Sequence, residues 1–574
     1  MRGAEKITAI LKSIYGPARG NEACQRILPL LQAFPAGESP AAGGLSQADA
    51  VLITYGDTLN QPGEPPLQTL GRFARNYLRP AFSAIHILPF FPFSSDDGFS
   101  VTDFSTVDPR LGQWADINRL GRDFDLMFDL VLNHVSSQND WFRRYLNQEP
   151  GYTDLALDVD PGLDLSHITR PRTTPLLTPF RKTDGRTVHL WTTFSADQID
   201  LNYQSLDVLE KMIGVLLFYV RQGARFIRLD AVAYLWKETA TTCIHCLQTH
   251  DMVKLFRAVL DSVAPGVSLI TETNVPHHEN IRYFGDGRDE ARMVYNFTLP
   301  PLLLYTFVTG DATALGRWAH DLAPPSAETA FFNFTASHDG IGVRPLEGIL
   351  PASAVDLLAA RAESNGGAVS SRCRADGGQT PYELNITYLD ALGGPGDDDA
   401  KRAARFLASQ AVALVLPGVP GVYVHSLLGS RNWSEGVRQT GRARTINRQP
   451  LALETVAREI ATPGKLRHLV FHAYCRLLSL RRQQPAFHPA ASAEVLDLSP
   501  RCFAMRRACA DQTILTLTNV SAQSLTLELP AALVPGTTDL ISGTALGGRT
   551  VHQKPFGVMW LASQPGQTRN QTRT

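Results

Sequence analysis

Acidic, basic and imidazole side chains gather where four short apolar runs end. DLVLNH (129–134) carries Asp129, Asn133 and His134, and FIRLD (226–230) carries Arg228 and Asp230. ITET (270–273) carries Glu272, and ASHDG (336–340) carries His338 and Asp339. Charged groups are seldom buried without a partner, so acids and an arginine at the ends of apolar strands need a reason. One reason is structural: Arg228 and Asp230, two apart on a strand, share a face and can pair. The other is chemical, and four such clusters in one chain favour it. Glycosyl transfer with retention uses two carboxyl groups about 5 to 5.5 Å apart across the anomeric carbon. One attacks to form a glycosyl–enzyme ester; the other protonates the leaving oxygen and then deprotonates the acceptor. Arg228 favours an ionised Asp230 as nucleophile, and Asp339 would help raise the pKa of Glu272 as acid/base.

Positioning these groups requires parallel strands. VLITY (51–55), AIHILPF (84–90), LMFDLVLNH (126–134), FIRLD (226–230), VSLITET (267–273), MVYNF (293–297), FFNFT (331–335) and VALVLPGVPGVYV (412–424) are nearly continuous in apolar character. Strands covered on both faces read this way. Helical stretches such as 206–223 and 250–263 separate most of them. Eight strands alternating with helices make either an open doubly wound sheet or a (β/α)8 TIM barrel. Polar residues at the C-terminal ends of many different strands favour the barrel. The fold class is therefore α/β, a barrel with inserted loop subdomains and a C-terminal all-β domain. A helical extension (1–47) precedes the barrel, whose parts span 48–135, 206–340 and 401–484. Residues 136–205, rich in Pro, Asp and Thr, form an inserted subdomain B, and 341–400 reads as long loops over the active face. Alternating strands from 485 to 574 form an antiparallel β domain, ending in a disordered tail, QPGQTRNQTRT.

Composition narrows the partners. The 574 residues are too many for one compact core. A net charge of −1 leaves no basic footprint for nucleic acid, and no apolar run of membrane-spanning length occurs. Lys6 and Lys12 fall where a secretory signal would be apolar, and seven scattered cysteines fit a reducing compartment, so a cytoplasmic enzyme is expected. Cys243 and Cys246 form a lone CxxC with no second pair, and no function is attached to it.

In order and spacing, DLVLNH, GARFIRLDA, ITETN and ASHDG resemble the four signature regions of the α-amylase superfamily. VLITYGD, HILPFFPFSSDDGFSVTDF, RLDAVAYLWKE, LPPLLLY, LPGVPGVY and RTINR narrow this to the sucrose phosphorylase subfamily. The resemblance implies Asp230 as nucleophile, Glu272 as acid/base and Asp339 as transition-state stabiliser. It implies that His134, Arg228 and His338 hold the glucosyl unit, that Asp96 and Arg444 grip its far hydroxyls, and that Phe194 and Tyr234 line the pocket. No metal or other cofactor is implied; inorganic phosphate is a substrate and Asn133 is structural. A homodimer is implied. TRPRTTPLLTPF (169–180), HLWTTFSADQIDLNY (189–203) and PLEGILP (345–351) look more like glucosylglycerate phosphorylases. Those convert 2-O-α-glucosyl-D-glycerate and phosphate to α-glucose 1-phosphate and D-glycerate. An anionic acceptor and phosphate both need cations, and Arg170, Arg172 and Arg344 are the candidates. Tyr382 matches the subfamily's acceptor loop, but Glu383 replaces its usual Gln and would repel a carboxylate unless a basic group screens it. Sucrose phosphorylase, sucrose 6-phosphate phosphorylase and a hydrolase or transglucosidase on the same site remain as alternatives. A non-catalytic relative would have lost the three acids, and all three stand.

Overall fold

The computed structural model describes residues 2–35, 43–373, 378–530 and 537–563. The proposed tail, 564–574, lies outside them. Eight parallel strands close into a barrel: β1 (Val51–Thr54), β2 (Ala84–Ile87), β3 (Asp125–Leu130), β4 (Ala224–Leu229), β5 (Ser268–Thr271), β6 (Met293–Tyr295), β7 (Ala330–Phe334) and β8 (Val419–Tyr423). Each strand neighbours its sequence successor, and β8 closes on β1 through Leu52 opposite Val422. Nearly every strand residue is buried, which accounts for the unbroken apolar runs.

One expectation is corrected here. The run 412–424 is not a single strand: helix Asp399–Val415 covers its first part, and only Val419–Tyr423 enters the barrel. Asp398 caps that helix by accepting the Lys401 N–H. A continuous apolar run has no period to separate helix from strand. The break falls at Pro417 and at Gly418, whose φ of 141° and position over the Phe331 carbonyl, 2.4 Å from where a Cβ would sit, admit only glycine.

The expected long loops after β7 are also more ordered than their Gly and Ser content suggested. They contain helix Ala352–Ser364 and an antiparallel hairpin of Ala368–Cys373 with Gln379–Asn385. In subdomain B, His134–Ser136 pairs antiparallel with Gln198–Asp200, so the insertion returns to the barrel beside His134. The N-terminal helix Arg2–Gln32 kinks at Gly16 (φ 79°) before Pro17. It docks through Ser13 on Asp251 and Tyr15 on the Tyr203 carbonyl. The C-terminal domain is a five-stranded antiparallel sheet, Ser492–Ser499, Cys502–Ala508, Thr513–Asn519, Val558–Ser563 and Thr537–Asp539, with a separate two-stranded pair. Among the described residues no helix is long and apolar enough to cross a membrane.

Arg481 links these layers. Fully buried, it donates to the carbonyls of Leu414, Gly418 and Gln47 at 2.8, 2.9 and 2.9 Å. Arg481→Met leaves those acceptors dry and unpaired, so unfolding free energy should fall by about 3 kcal/mol. Urea denaturation followed by tryptophan fluorescence measures it; an unchanged midpoint would deny Arg481 this bracing role.

Candidate active site

The barrel's register brings the first charges together. β3 pairs β4 with Asp129 opposite Arg228. The buried Arg228 guanidinium donates to Asp129 and, at 2.9 Å, to Asp230 Oδ1, the pairing expected from their two-residue spacing. It reaches Glu272 Oε2 at 3.8 Å and lies over the rings of Phe99 and Tyr295. From β2, His86 Nε2 meets the other Asp129 oxygen at 2.7 Å. Burial opposes ionisation of Asp129, but His86 and Arg228 outweigh it and hold the acid down to about 2. Ala231, at φ 49°, turns its N–H onto Glu272 Oε2 at 3.0 Å. Burial pushes both Asp230 and Glu272 upward, and Arg228, already shared with Asp129, offsets only part of this. Asp339 adds to the rise in both.

Asp339 goes the other way. Burial again opposes its charge, but Arg444, His338, Arg448 and Arg228 together hold it well below the usual range. Arg444 Nη1 lies 2.5 Å from Asp339 Oδ1, and Asn447 Nδ2 donates to the Asp339 carbonyl at 2.9 Å. The other edge of Arg444 grips Glu383 through two bonds of 2.8 and 2.6 Å. The Gly340 N–H donates to Glu383 Oε1 at 2.8 Å, and a Cβ there would come within 2.6 Å of Glu383 Cγ. The tension left by Glu383 is thereby removed. Its carboxylate is held below its ordinary pKa, burial being outweighed by Arg444, and its charge is compensated within the site.

Imidazole and aromatic rings pack closely on the other side of the site. The His338 ring stacks on Phe99 at 4.8 Å, and burial drops its pKa to about 3, so it is neutral. Burial lowers His134 too; its Nε2 meets the Phe99 carbonyl at 2.9 Å and Gln198 at 3.1 Å. Phe194 lies 5.3 Å from His134, and Tyr234 meets Phe194 edge-on at 5.6 Å. Asp96 and Asp97 hold φ of 54° and 50°, a left-handed pair that costs about 1–3 kcal/mol per residue. Asp197, accepting from Ser94, Ser95, Ser100 and Ser137, fixes that loop from one side, and Arg448 on Asp97 fixes it from the other. Gln198 donates to Asp96 at 3.1 Å.

One cavity, about 80 Å³, collects every expected site residue except Arg170, Tyr234 and Arg344. Tyr234 stands behind Phe194, and Arg344 lies 3.7 Å from Glu279. Arg172 lines the cavity, whereas Arg170 is exposed. A larger groove of about 830 Å³, beside Trp141 and Phe218, carries none of the expected residues. Sequence reasoning missed His86, Phe99, Gln198, Asn447 and Arg448. Phe99 stands in the quoted SSDDGFS stretch and Arg448 in RTINR, but neither stretch reveals which side chain faces inward. Asn133, expected to be structural, accepts from Lys237 Nζ at 2.7 Å, and that ammonium lies 2.8 Å from Asp200. Among the described residues no group of three or more His, Cys, Asp or Glu is arranged to hold a metal ion.

The α-amylase catalytic-domain family matches residues 76–313. Glucosylglycerate phosphorylase of Spirochaeta thermophila is 49% identical over 530 residues, 91% of this chain and 90% of that protein. Sucrose phosphorylase of Agrobacterium vitis is 34% identical over 69% of this chain and 81% of that protein. Among solved structures, sucrose 6F-phosphate phosphorylase from Thermoanaerobacter thermosaccharolyticum superposes with a TM-score of 0.74 at 25% identity, over 88% of this chain and 98% of that one.

Proposed function

This chain belongs to the α-amylase family, in its branch of glycoside phosphorylases, and from that premise we propose that it is a retaining glucosylglycerate phosphorylase. It splits 2-O-α-glucosyl-D-glycerate with inorganic phosphate into α-glucose 1-phosphate and D-glycerate.

Asp230 attacks the anomeric carbon while Glu272 protonates the departing glycerate oxygen. Burial disfavours charge on both acids, and geometry decides between them. Asp230 accepts a guanidinium N–H at 2.9 Å, whereas Glu272 stands 3.8 Å from that group and accepts only the neutral Ala231 N–H, which supports Glu272 as the protonated partner. Asp339, held ionised by Arg444, stabilises the positive charge that develops on the sugar ring. Phosphate then enters from the face glycerate left, loses a proton to Glu272 and displaces Asp230, giving net retention.

The observation that carries the phosphorylase reading is the placement of Arg172. Arg444 pairs with both Glu383 and Asp339, while Arg172 lines the cavity and, among the described residues, forms no ion pair within 4 Å. A guanidinium at the cavity wall with no ion-pair partner of its own suits phosphate and a carboxylate acceptor. Greater identity to the glucosylglycerate enzyme than to the sucrose enzyme supports glycerate over fructose. The Lys237 ammonium, seated between Asn133 and Asp200, supplies positive charge beside His134, so the proposal includes no metal.

Purified enzyme given glucosylglycerate and phosphate should release glucose 1-phosphate faster than from sucrose or sucrose 6-phosphate. Faster cleavage of either sucrose, or glucose release independent of phosphate, would overturn the reading.

A further inference from the structure

The CIHC segment (243–246) takes no part in the site above, yet its backbone is unusual. Cys243 and His245 both hold positive φ, 52° and 55°, which side-chain-bearing residues adopt only where their surroundings impose it. The His245 N–H donates to the Ala233 carbonyl at 3.0 Å, tying the segment to the residue before Tyr234. The imidazole is thereby set between two partners: Nδ1 meets the Tyr283 hydroxyl at 2.8 Å and Nε2 meets Glu279 Oε2 at 3.1 Å.

The same Glu279 oxygen lies 3.7 Å from Arg344 Nη2, close enough for charge attraction and too far for a hydrogen bond. Arg344 is largely buried, and its Nε has no hydrogen-bond partner. Its neighbour Val343 is strapped to the Tyr382 carbonyl at 3.1 Å, and its charge, like that of Arg172, acts on the Tyr234 hydroxyl. A buried guanidinium with unused donors beside a sugar cavity calls for an anion.

We infer that His245 and Glu279 are positioning residues that aim Arg344 at the anionic acceptor, which is inorganic phosphate in one direction and the carboxylate of glycerate in the other; this rests on the phosphorylase reading. Burial keeps His245 near 4 despite Glu279, so the ring is neutral at pH 7. It therefore donates from Nε2 to Glu279 and accepts the Tyr283 O–H at Nδ1. A neutral donor orients the carboxylate without cancelling its charge, and the loose 3.7 Å contact restrains Arg344 without consuming its donors.

Steady-state phosphorolysis of glucosylglycerate by the full chain tests this with Glu279→Gln, His245→Ala and His245→Gln. KM for phosphate should rise about tenfold in the first two, with kcat changed less than about threefold. His245→Gln, which keeps a donor for Glu279, should recover part of that loss. Phosphate-free hydrolysis of α-glucosyl fluoride, which needs only the glucosyl half, should keep its rate in all three. An unchanged KM for phosphate, or an equal loss of phosphorolysis and hydrolysis, overturns the inference. Wild-type enzyme that makes no glucose 1-phosphate from any donor refutes the phosphorylase reading, and this inference with it.

Discussion

Asp230→Ala should lower kcat at least about 10⁴-fold, for phosphorolysis and for hydrolysis of α-glucosyl fluoride alike. Both reactions pass through the ester on this one carboxylate, so no choice of acceptor or leaving group evades its loss. The protein itself should survive the change. Arg228, the partner stranded by the substitution, keeps Asp129, which is in turn held by His86. The thermal midpoint should therefore stay near that of the parent chain. Azide, small enough to enter the vacated space, should restore turnover and yield the β-glucosyl azide, since it attacks from the side Asp230 occupied. More than about one per cent residual activity without azide would remove Asp230 from the nucleophile's role.

Glu272→Gln should cost about 10³-fold with glucosylglycerate, whose alkoxide leaving group needs a proton. With α-glucosyl fluoride the first step should be nearly spared, because fluoride departs without one. The sign of the pH dependence follows from burial, which raises Glu272 above the ordinary value of 4.5; Asp339 adds to the rise and Arg228 opposes it. The protonated form does the work in the first step. Activity on glucosylglycerate should therefore decline on the alkaline side as pH climbs through that raised pKa, while the need for an ionised Asp230, itself raised, sets the acid limb. The glutamine variant should lack that alkaline limb. Profiles of kcat/KM against pH for the two proteins decide this; an unchanged limb would assign it to another group.

Much of this architecture was legible in the chain. Strands buried on both faces are apolar throughout, so their positions and the acids at their ends could be read together, and Arg228–Asp230 followed from pleat geometry alone. Where one physical signal serves two structures, reading failed. The run at 412–424 gave no period, and only Gly418, pressed against a neighbouring carbonyl, marks where helix yields to strand. The strands Ala368–Cys373 and Gln379–Asn385 read as loop because their mostly polar residues show no alternating apolar pattern. Contacts across long separations left no trace at all. Nothing in RTINR announces that Arg444 will meet Glu383, 61 positions earlier. Nor does CIHC announce that His245 will meet Glu279, 34 positions later.

The Arg444 bridge also bears on how this pocket can change. Arg444 stands between Glu383 and Asp339, and its one guanidinium is shared between them. Any drift at position 383 towards a different acceptor frees half of that guanidinium, which then leans harder on Asp339. Altered selectivity thus arrives with an altered reaction rate, and a useful new specificity is expected to need a second, compensating substitution. Families built on this bridge should move between acceptors in paired steps, and a laboratory search one position at a time should stall there.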